Sequence, residues 1–374
     1  MITLTTLLQQ HGATYREQRR TQLSPQQSRC LATLALCRTE ALGGQVFTCP
    51  DCHTVRYSYH SCRNRHCPTC QQEAGTIWLA NQQSLLLPVP YFLVTFTIPA
   101  SLRAVAAAHQ HAVYTAMFRS SAAALQALAA DPRHLGGQLG MLGVLHTWTW
   151  DLRYHPHIHY LIPGVGVTPE QRVVFPPAPD FLLPGRPLAL LFRVKLRASL
   201  QQQPWANALP AAAWQQDWVV DCRPVGTGNA ALKYLAPYIF RVALSNNRIL
   251  QADDHQVTFR YTHRATKEQR RSTVSVTTFL DRFAAHILPA GFVKVRYYGF
   301  FRPAARQMLP RLRAQIQLMR GMGLLDPPAV TDPVQQHHHP HGCPSCDAPM
   351  RVTVLSAHTA CAPPHTGTRS MPCA

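Results

Sequence analysis

The chain has 374 residues, 46% of them hydrophobic, which is enough for two or three domains with at least one substantial core and excludes a wholly disordered protein. Its 36 Lys+Arg against 17 Asp+Glu give a formal charge of +19 although only 14% of residues are charged, a balance that points to a polyanionic partner, nucleic acid first. The longest apolar stretches are broken by Pro88, Pro90, His109, His111 and Arg119 too early for a membrane span, and the first residues lack the pattern of an export signal. A cytoplasmic, nucleoid-associated protein with no membrane partner is expected.

Seven of the twelve cysteines lie between Cys30 and Cys70, four follow Pro340, and Cys222 stands apart. In a reducing compartment such clusters read as metal ligands rather than disulfides. From Cys49 the chain runs CPDCHTVRYSYHSCRNRHCPTC. The turns Cys49-x2-Cys52 and Cys67-x2-Cys70 each aim two thiolates at one centre, and the spacing predicts that these four hold one structural Zn2+. Cys62, His53, His60 and His66 are surplus: they form a second site, replace one of the four cysteines, or are ordinary polar residues. Arg56, Arg63 and Arg65, interleaved with Tyr57 and Tyr59, suggest a DNA-contacting face, with a purely structural zinc knuckle as the alternative. Residues 1–85 are expected to form this N-terminal zinc-binding, DNA-contacting module.

Next, Tyr91 to Ile98 is β-branched and aromatic and reads as a central strand ending at Pro99, and the alanine-rich stretch 101–130 reads as a helix closed by Asp131-Pro132. Residues 141–151 and 158–167 read as two strands of a hairpin turning through 152–156. In His157-Ile158-His159, strand alternation puts both imidazoles on one face and Ile158 in the core, so the pair can share a metal. A third ligand is His146 on the partner strand or His155 at the turn, depending on register. Imidazole-rich ligation with open positions leaves room for a phosphate oxygen. Residues 185–203 read as a basic amphipathic helix. In the stretch 226–241, Tyr234 and Tyr238 are four apart and share a face if helical, as a nucleophile pair or as packing residues, and Pro237 kinks that helix or marks its first turn. Lys233 and Arg241 lie beside them as phosphate contacts or as charges that favour a phenolate. Asp253 to Arg271 reads as strand, basic turn and strand, with Arg260, Arg264, Arg270 and Arg271 facing DNA or solvent. After Pro327 the composition turns to His and Pro; a disordered tail is expected, with Cys343 and Cys346 available for a second zinc together with Cys361 and Cys373 or with His337 to His341. The sequence has no Walker motif.

The cysteine block Cys49 to Cys70, the TFTIP strand, the HPHIH motif, the YLAPYIFR segment and FLDRFAAHILPAGFVKVRYYG together resemble the two-tyrosine HUH transposases of rolling-circle insertion sequences, of the insertion-sequence-ninety-one type, with their N-terminal transposase zinc-binding domain. The resemblance runs from about Cys37 to Arg302. It implies an α+β protein: the zinc module, an HUH nuclease domain over residues 86–305 with an antiparallel sheet flanked by helices, and a basic His/Pro/Cys-containing tail over 306–374. It also implies DNA transposition by single-strand cleavage. A divalent ion, Mg2+ or Mn2+, held by His157, His159 and a third ligand polarises the phosphate, and Tyr234 or Tyr238 forms a 5′-phosphotyrosine. Single-stranded ends of the mobile element and the target site are the DNA partners, and a helicase comes from the host. The rival readings are a plasmid replication initiator or relaxase with the same chemistry, and a non-catalytic zinc-dependent DNA-binding protein.

Overall fold

The computed structural model describes residues 2–71, 82, 85–227, 230, 243–263, 266–321 and 342–357. Two helices open the chain. Leu4–Gln18 starts at Thr3, whose hydroxyl accepts the Thr6 amide at 3.1 Å. Pro25–Ala35 starts on a capping box in which the Ser24 hydroxyl accepts the Gln27 amide (3.2 Å) and the Gln27 side chain accepts the Ser24 amide (2.8 Å); Pro25 occupies a first-turn position where its missing N–H costs nothing. There follow β1 (Gly44–Thr48), β2 (Val55–Tyr59), β3 (Pro90–Thr97), the short helix Arg103–Ala108, the long helix Gln110–Ala130, β4 (Gln138–Leu139), β5 (Met141–Trp148), β6 (Tyr154–Pro163), β7 (Gly166–Val167), β8 (Val173–Val174) and the helix Gly185–Gln201. The chain continues through β9 (Val220–Thr227), β10 (Ile249–Ala252), β11 (Gln256–Thr262), β12 (Gln269–Ser275), the helix Val276–Ala284, β13 (Val295–Tyr298), the helix Leu309–Met319 and β14 (Arg351–Leu355).

The central sheet has the order β13-β5-β6-β3-β9, antiparallel at every junction. Strand alternation sorts its residues cleanly. Phe92, Val94, Phe96, Leu145, Ile158 and Tyr160 pack under the helices Gln110–Ala130 and Gly185–Gln201. Tyr91, Leu93, Leu142, Val144 and Leu161 face Phe300, Leu309, Leu312 and Ile316 on the other side. One glycine is required by this packing: a Cβ on Gly143 would sit 2.6 Å from the ring of its cross-strand neighbour Tyr160, whose hydroxyl lies 2.8 Å from that of Ser121. The fold is therefore α+β, an antiparallel HUH-type sheet flanked by helices.

Several expected elements are displaced. The stretch 101–130 is broken at His109, which leaves helical dihedrals while its ring stacks on Trp205 at 4.2 Å between centroids. The second arm of the hairpin begins at Tyr154, four residues before the expected Ile158, so the whole HPHIH motif lies on a strand. Within the stretch expected as a tail, Arg351–Leu355 is a strand that pairs with Gly44–Thr48, giving a small sheet of order β14-β1-β2.

The first helices do not stand apart from the rest. Leu4, Leu7, Leu8, Tyr15, Leu31 and Leu34 share one core with Phe259, Phe279, Leu280 and Phe283. Polar contacts set their orientation: the Tyr15 hydroxyl donates to Asp281 at 2.9 Å, Arg19 donates two hydrogen bonds to the same carboxylate at 3.0 and 2.8 Å, and the Gln27 amide donates to the Ala284 carbonyl at 2.9 Å. Among the described residues, no helix is long and apolar enough to cross a membrane. Because the Ser24 cap starts the helix that carries Leu31 and Leu34 into this core, Ser24→Ala should cost about 1 kcal/mol of stability in chemical denaturation; an unchanged midpoint would show that the cap contributes nothing.

Candidate metal centre

The site is built by the β5–β6 hairpin. Its turn is closed by the Thr149 amide donating to the Arg153 carbonyl (3.0 Å) and the Leu152 amide to the Thr149 carbonyl (3.0 Å), with Leu152 in the left-handed region at φ +64°. A non-glycine residue is tolerated there because the Leu152 side chain is fully buried in the core shared with the N-terminal helices. Behind the turn sits His286, which sequence reasoning passed over although it lies within the motif 279–299. Its Nε2 faces the Leu152 carbonyl at 3.2 Å, so that nitrogen carries the proton, and Nδ1 accepts from the Thr147 hydroxyl at 3.2 Å. Burial pushes His286 down to about 4, which keeps it neutral in this role.

Register then decides which histidines meet. His146 stands directly across from His157, and the ladder shifts between His146 and Trp148, so that His155 and Pro156 together oppose Thr147. Pro156, which has no N–H to give to a ladder, suits such a bulge. The bulge puts His155 out of phase with its neighbours, and its Nδ1 accepts from the Arg103 guanidinium at 2.7 Å. His146, His157 and His159 are brought together, with ligand nitrogens all within 4.8 Å of one another. His155 is not part of that group.

Neighbouring groups orient the ring nitrogens. Nδ1 of His157 donates to the His155 carbonyl at 2.7 Å, which fixes the tautomer with Nε2 unprotonated. Nδ1 of His159 lies 2.9 Å from the Thr95 hydroxyl on β3, whose register sets Thr95 opposite His159 and Thr97 opposite His157. The TFTIP motif thus places a hydroxyl-bearing residue across from each histidine of HIH, a correspondence visible in the matching two-residue spacings. The Trp148 ring stacks on His146 at 4.7 Å between centroids. Burial, then the neighbouring His157 and Arg223, hold His159 below the usual histidine range, so it is a neutral donor at physiological pH. Three imidazoles without a carboxylate suit a borderline divalent ion and leave coordination positions open.

Comparison with known proteins agrees with this architecture. Residues 7–98 match a family model described as "Transposase zinc-binding domain", and residues 140–308 match one described as "Putative transposase". The protein "Putative transposase y4qJ" of Sinorhizobium fredii (strain NBRC 101917 / NGR234) is 36% identical over 377 residues, covering 93% of this chain and 94% of that relative. The chain belongs to the transposases of the insertion-sequence-ninety-one type. The "Transposase for insertion sequence element IS801" of Pseudomonas savastanoi pv. phaseolicola is 26% identical to this transposase over 300 residues, 75% of this chain and 72% of the relative.

The transposase's cysteines group differently from the spacing-based expectation. Cys49, Cys52, Cys67 and Cys70 do not converge. Cys67 and Cys70 join Cys37 and Cys62, whereas Cys49 and Cys52 lie with Cys343 and Cys346. The reason is the β1–β2 hairpin: Cys49 and Cys52 form its turn, and β2 carries the chain back beside the start of β1, where His60 bonds to Gly43 and Arg38 to His60. A five-residue strand separates the two ends by about 17 Å. In the first group the Sγ atoms of Cys37 and Cys67 are 3.5 Å apart, with Cys70 at 3.7 Å from both Cys37 and Cys62. Tetrahedral thiolates at 2.3 Å from zinc are about 3.8 Å apart. Hydrogen bonds from the neighbouring thiols, Cys62 first, pull the Cys67 thiol down towards its thiolate form, the form that binds metal. The zinc-binding domain and this donor set support a structural zinc.

The proposed DNA contacts divide as well. Arg56 and Arg63 are exposed, and the Tyr57 and Tyr59 rings stack at 5.9 Å on β2. Arg65 is turned inward instead, its guanidinium donating to the carbonyls of Pro289 and Phe292, because a planar fork satisfies two carbonyls at that packed bend. Tyr234, Tyr238, Lys233 and Arg241 lie outside the described residues, as do Cys361, Cys373 and His337 to His341. Cys62→Ser in the full chain should release one equivalent of zinc on metal analysis, and full retention would remove Cys62 from the ligand set.

Proposed function

We propose that this transposase performs rolling-circle-type transposition by metal-dependent cleavage and rejoining of single-stranded DNA. The observation that carries this reading is the convergence of His146, His157 and His159 on one face of the central sheet, with Nδ1 of His157 and of His159 each held by a neighbour. Of the two expected ions, Mn2+ accepts imidazole nitrogen more readily than the harder Mg2+, and either bound there would supply Lewis-acid polarisation of the scissile phosphate. His157 and His159 would hold it through Nε2, with His146 as third ligand.

Tyr234 and Tyr238 are the proposed nucleophiles. The phenolate oxygen of one forms a bond to phosphorus, the bond from phosphorus to the 3′-oxygen breaks, and that oxygen takes up a proton and leaves as a 3′-hydroxyl. The ester energy stays in the 5′-phosphotyrosine, so a 3′-hydroxyl can reverse the step without ATP, and a second tyrosine allows a second strand transfer before the first link is resolved. Chain length permits the placement: Tyr234 follows the end of β9 at Thr227 by seven residues, up to about 23 Å of chain, and Thr227 pairs with Pro90 while Thr95 lies five residues along β3, about 17 Å away. An ordinary phenol ionises near pH 10, so positive charge from Lys233 and Arg241 favours the phenolate. Arg56 and Arg63 contact the phosphate backbone, and strand separation comes from a host helicase, since the chain has no Walker motif.

Cleavage of a labelled single-stranded oligonucleotide carrying the element's end tests the reading. The unmodified transposase should form a covalent adduct, and peptide mapping should place it on Tyr234 or Tyr238; an adduct on any other residue would refute the assignment. Single Phe substitutions should leave weak cleavage, and the double substitution none. His146→Ala should abolish cleavage and lower metal affinity at least about 10-fold, whereas His155→Ala should leave the metal bound, as calorimetric Mn2+ titration would show. The opposite ranking would make His155 the third ligand.

A further inference from the structure

We propose that Cys49, Cys52, Cys343 and Cys346 hold a second structural zinc ion, one that fastens the C-terminal strand to the N-terminal module. The four Sγ atoms form a mutual network rather than two pairs. Cys49 lies 3.5 Å from Cys346, and Cys52 lies 3.3 Å from Cys343 and 3.5 Å from Cys346. Disulfide sulfurs are bonded at about 2.05 Å and each has one partner. Four sulfurs at these separations match a tetrahedral thiolate shell instead.

The backbone around the two cysteine pairs repeats. At the first, the Cys49 amide donates to the Thr54 carbonyl (2.9 Å), the His53 amide donates to the Cys49 carbonyl (3.2 Å), and His53 has φ +60°. At the second, the Cys343 amide donates to the Ala348 carbonyl (2.8 Å), the Asp347 amide donates to the Cys343 carbonyl (2.8 Å), and Asp347 also has φ +60°. Both segments read Cys-Pro-x-Cys, at 49–52 and 343–346, and each leads into a strand, β2 or β14. Two turns with the same hydrogen bonds at the same offsets, facing one another, present their thiols to a common centre. The hydroxyls of Thr54 and Ser345 meet at 3.3 Å between them.

Packing alone gives β14 little hold. The local core is Phe47, Cys49, Cys343 and Met350, while Val55, Tyr57, Val352 and Val354 remain exposed. Three five-residue strands with so little buried apolar surface need a staple, and a metal is the one the donor set fits. The staple has a consequence for the aromatic face of β2, the side of the sheet opposite Arg56. Thr48 of β1 pairs with both Val55 and Arg351, and Val46 with both Tyr57 and Thr353, so alternation puts Arg351 on the side of the sheet that carries Tyr57 and Tyr59. The end of the chain thereby adds a cation to a face built by its beginning.

The test uses the zinc-loaded full chain in reductant, alkylated with iodoacetamide and mapped by peptide mass spectrometry. Cys52 and Cys346 are exposed, so as free thiols they would react at once. Both should instead be protected until chelator is added, and then react together with Cys49 and Cys343. In parallel, Cys343→Ser/Cys346→Ser should contain one zinc fewer per chain and lose amide-exchange protection across 351–355, while protection of β5 and β6 is kept. Immediate alkylation of Cys346 in the zinc-loaded chain would overturn the proposal, as would a double variant with the zinc content of the unmodified chain.

Discussion

The bulge opposite Thr147 is the constraint on which the histidine cluster depends. One extra residue on β6 sets His146 across from His157 and takes His155 out of the cluster. Without it, His155, His157 and His159 would lie on one face at two-residue intervals, and His155 would compete for the third position. Two features hold that register: Pro156 at the irregular position, and the turn whose Leu152 side chain is buried in a different core from the sheet's own. His286 ties the two together by bonding to Thr147, opposite the bulge, and to Leu152 in the turn. The site thus depends on the packing of the helix Val276–Ala284 as much as on the hairpin.

That packing also connects the site to the N-terminal module. The helices Leu4–Gln18 and Pro25–Ala35 close over the same core that receives Leu152, and Cys37 and Cys67 of the first thiol group are part of it. The first thiol group and the turn of the histidine hairpin therefore share one set of packed side chains, so loss of a structural zinc there should loosen the support of that turn without touching a histidine.

Local chemistry in the sequence announced much of this. The strand at 91–98, the HIH pair and its hairpin, and the cysteine turns follow from period-two alternation and from CxxC spacing, both of which are local signals. Ligand partnership was less legible because it depends on strand return. Cys67-x2-Cys70 looks like the natural complement of Cys49-x2-Cys52, yet β2 carries Cys62 and its successors away from that turn to Cys37, and the missing complement comes from almost three hundred residues later. Cys-Pro-x-Cys occurs three times, at 49–52, 67–70 and 343–346, so the motif alone does not say which two turns share a centre. The inward turn of Arg65 is hidden for a related reason: its neighbours Arg56 and Arg63 are exposed, and nothing local shows that the chain bends against Pro289 at that point.

The divalent-metal site proposed for His146, His157 and His159 rests on the bulged register. Anomalous diffraction at the manganese absorption edge, on crystals of the transposase soaked in Mn2+, tests it most directly. One strong peak is expected within about 2.2 Å of a ring nitrogen of each of the three histidines, with His155 still bonded to Arg103. A peak coordinated by His155 in place of His146, or none at this hairpin, would contradict it.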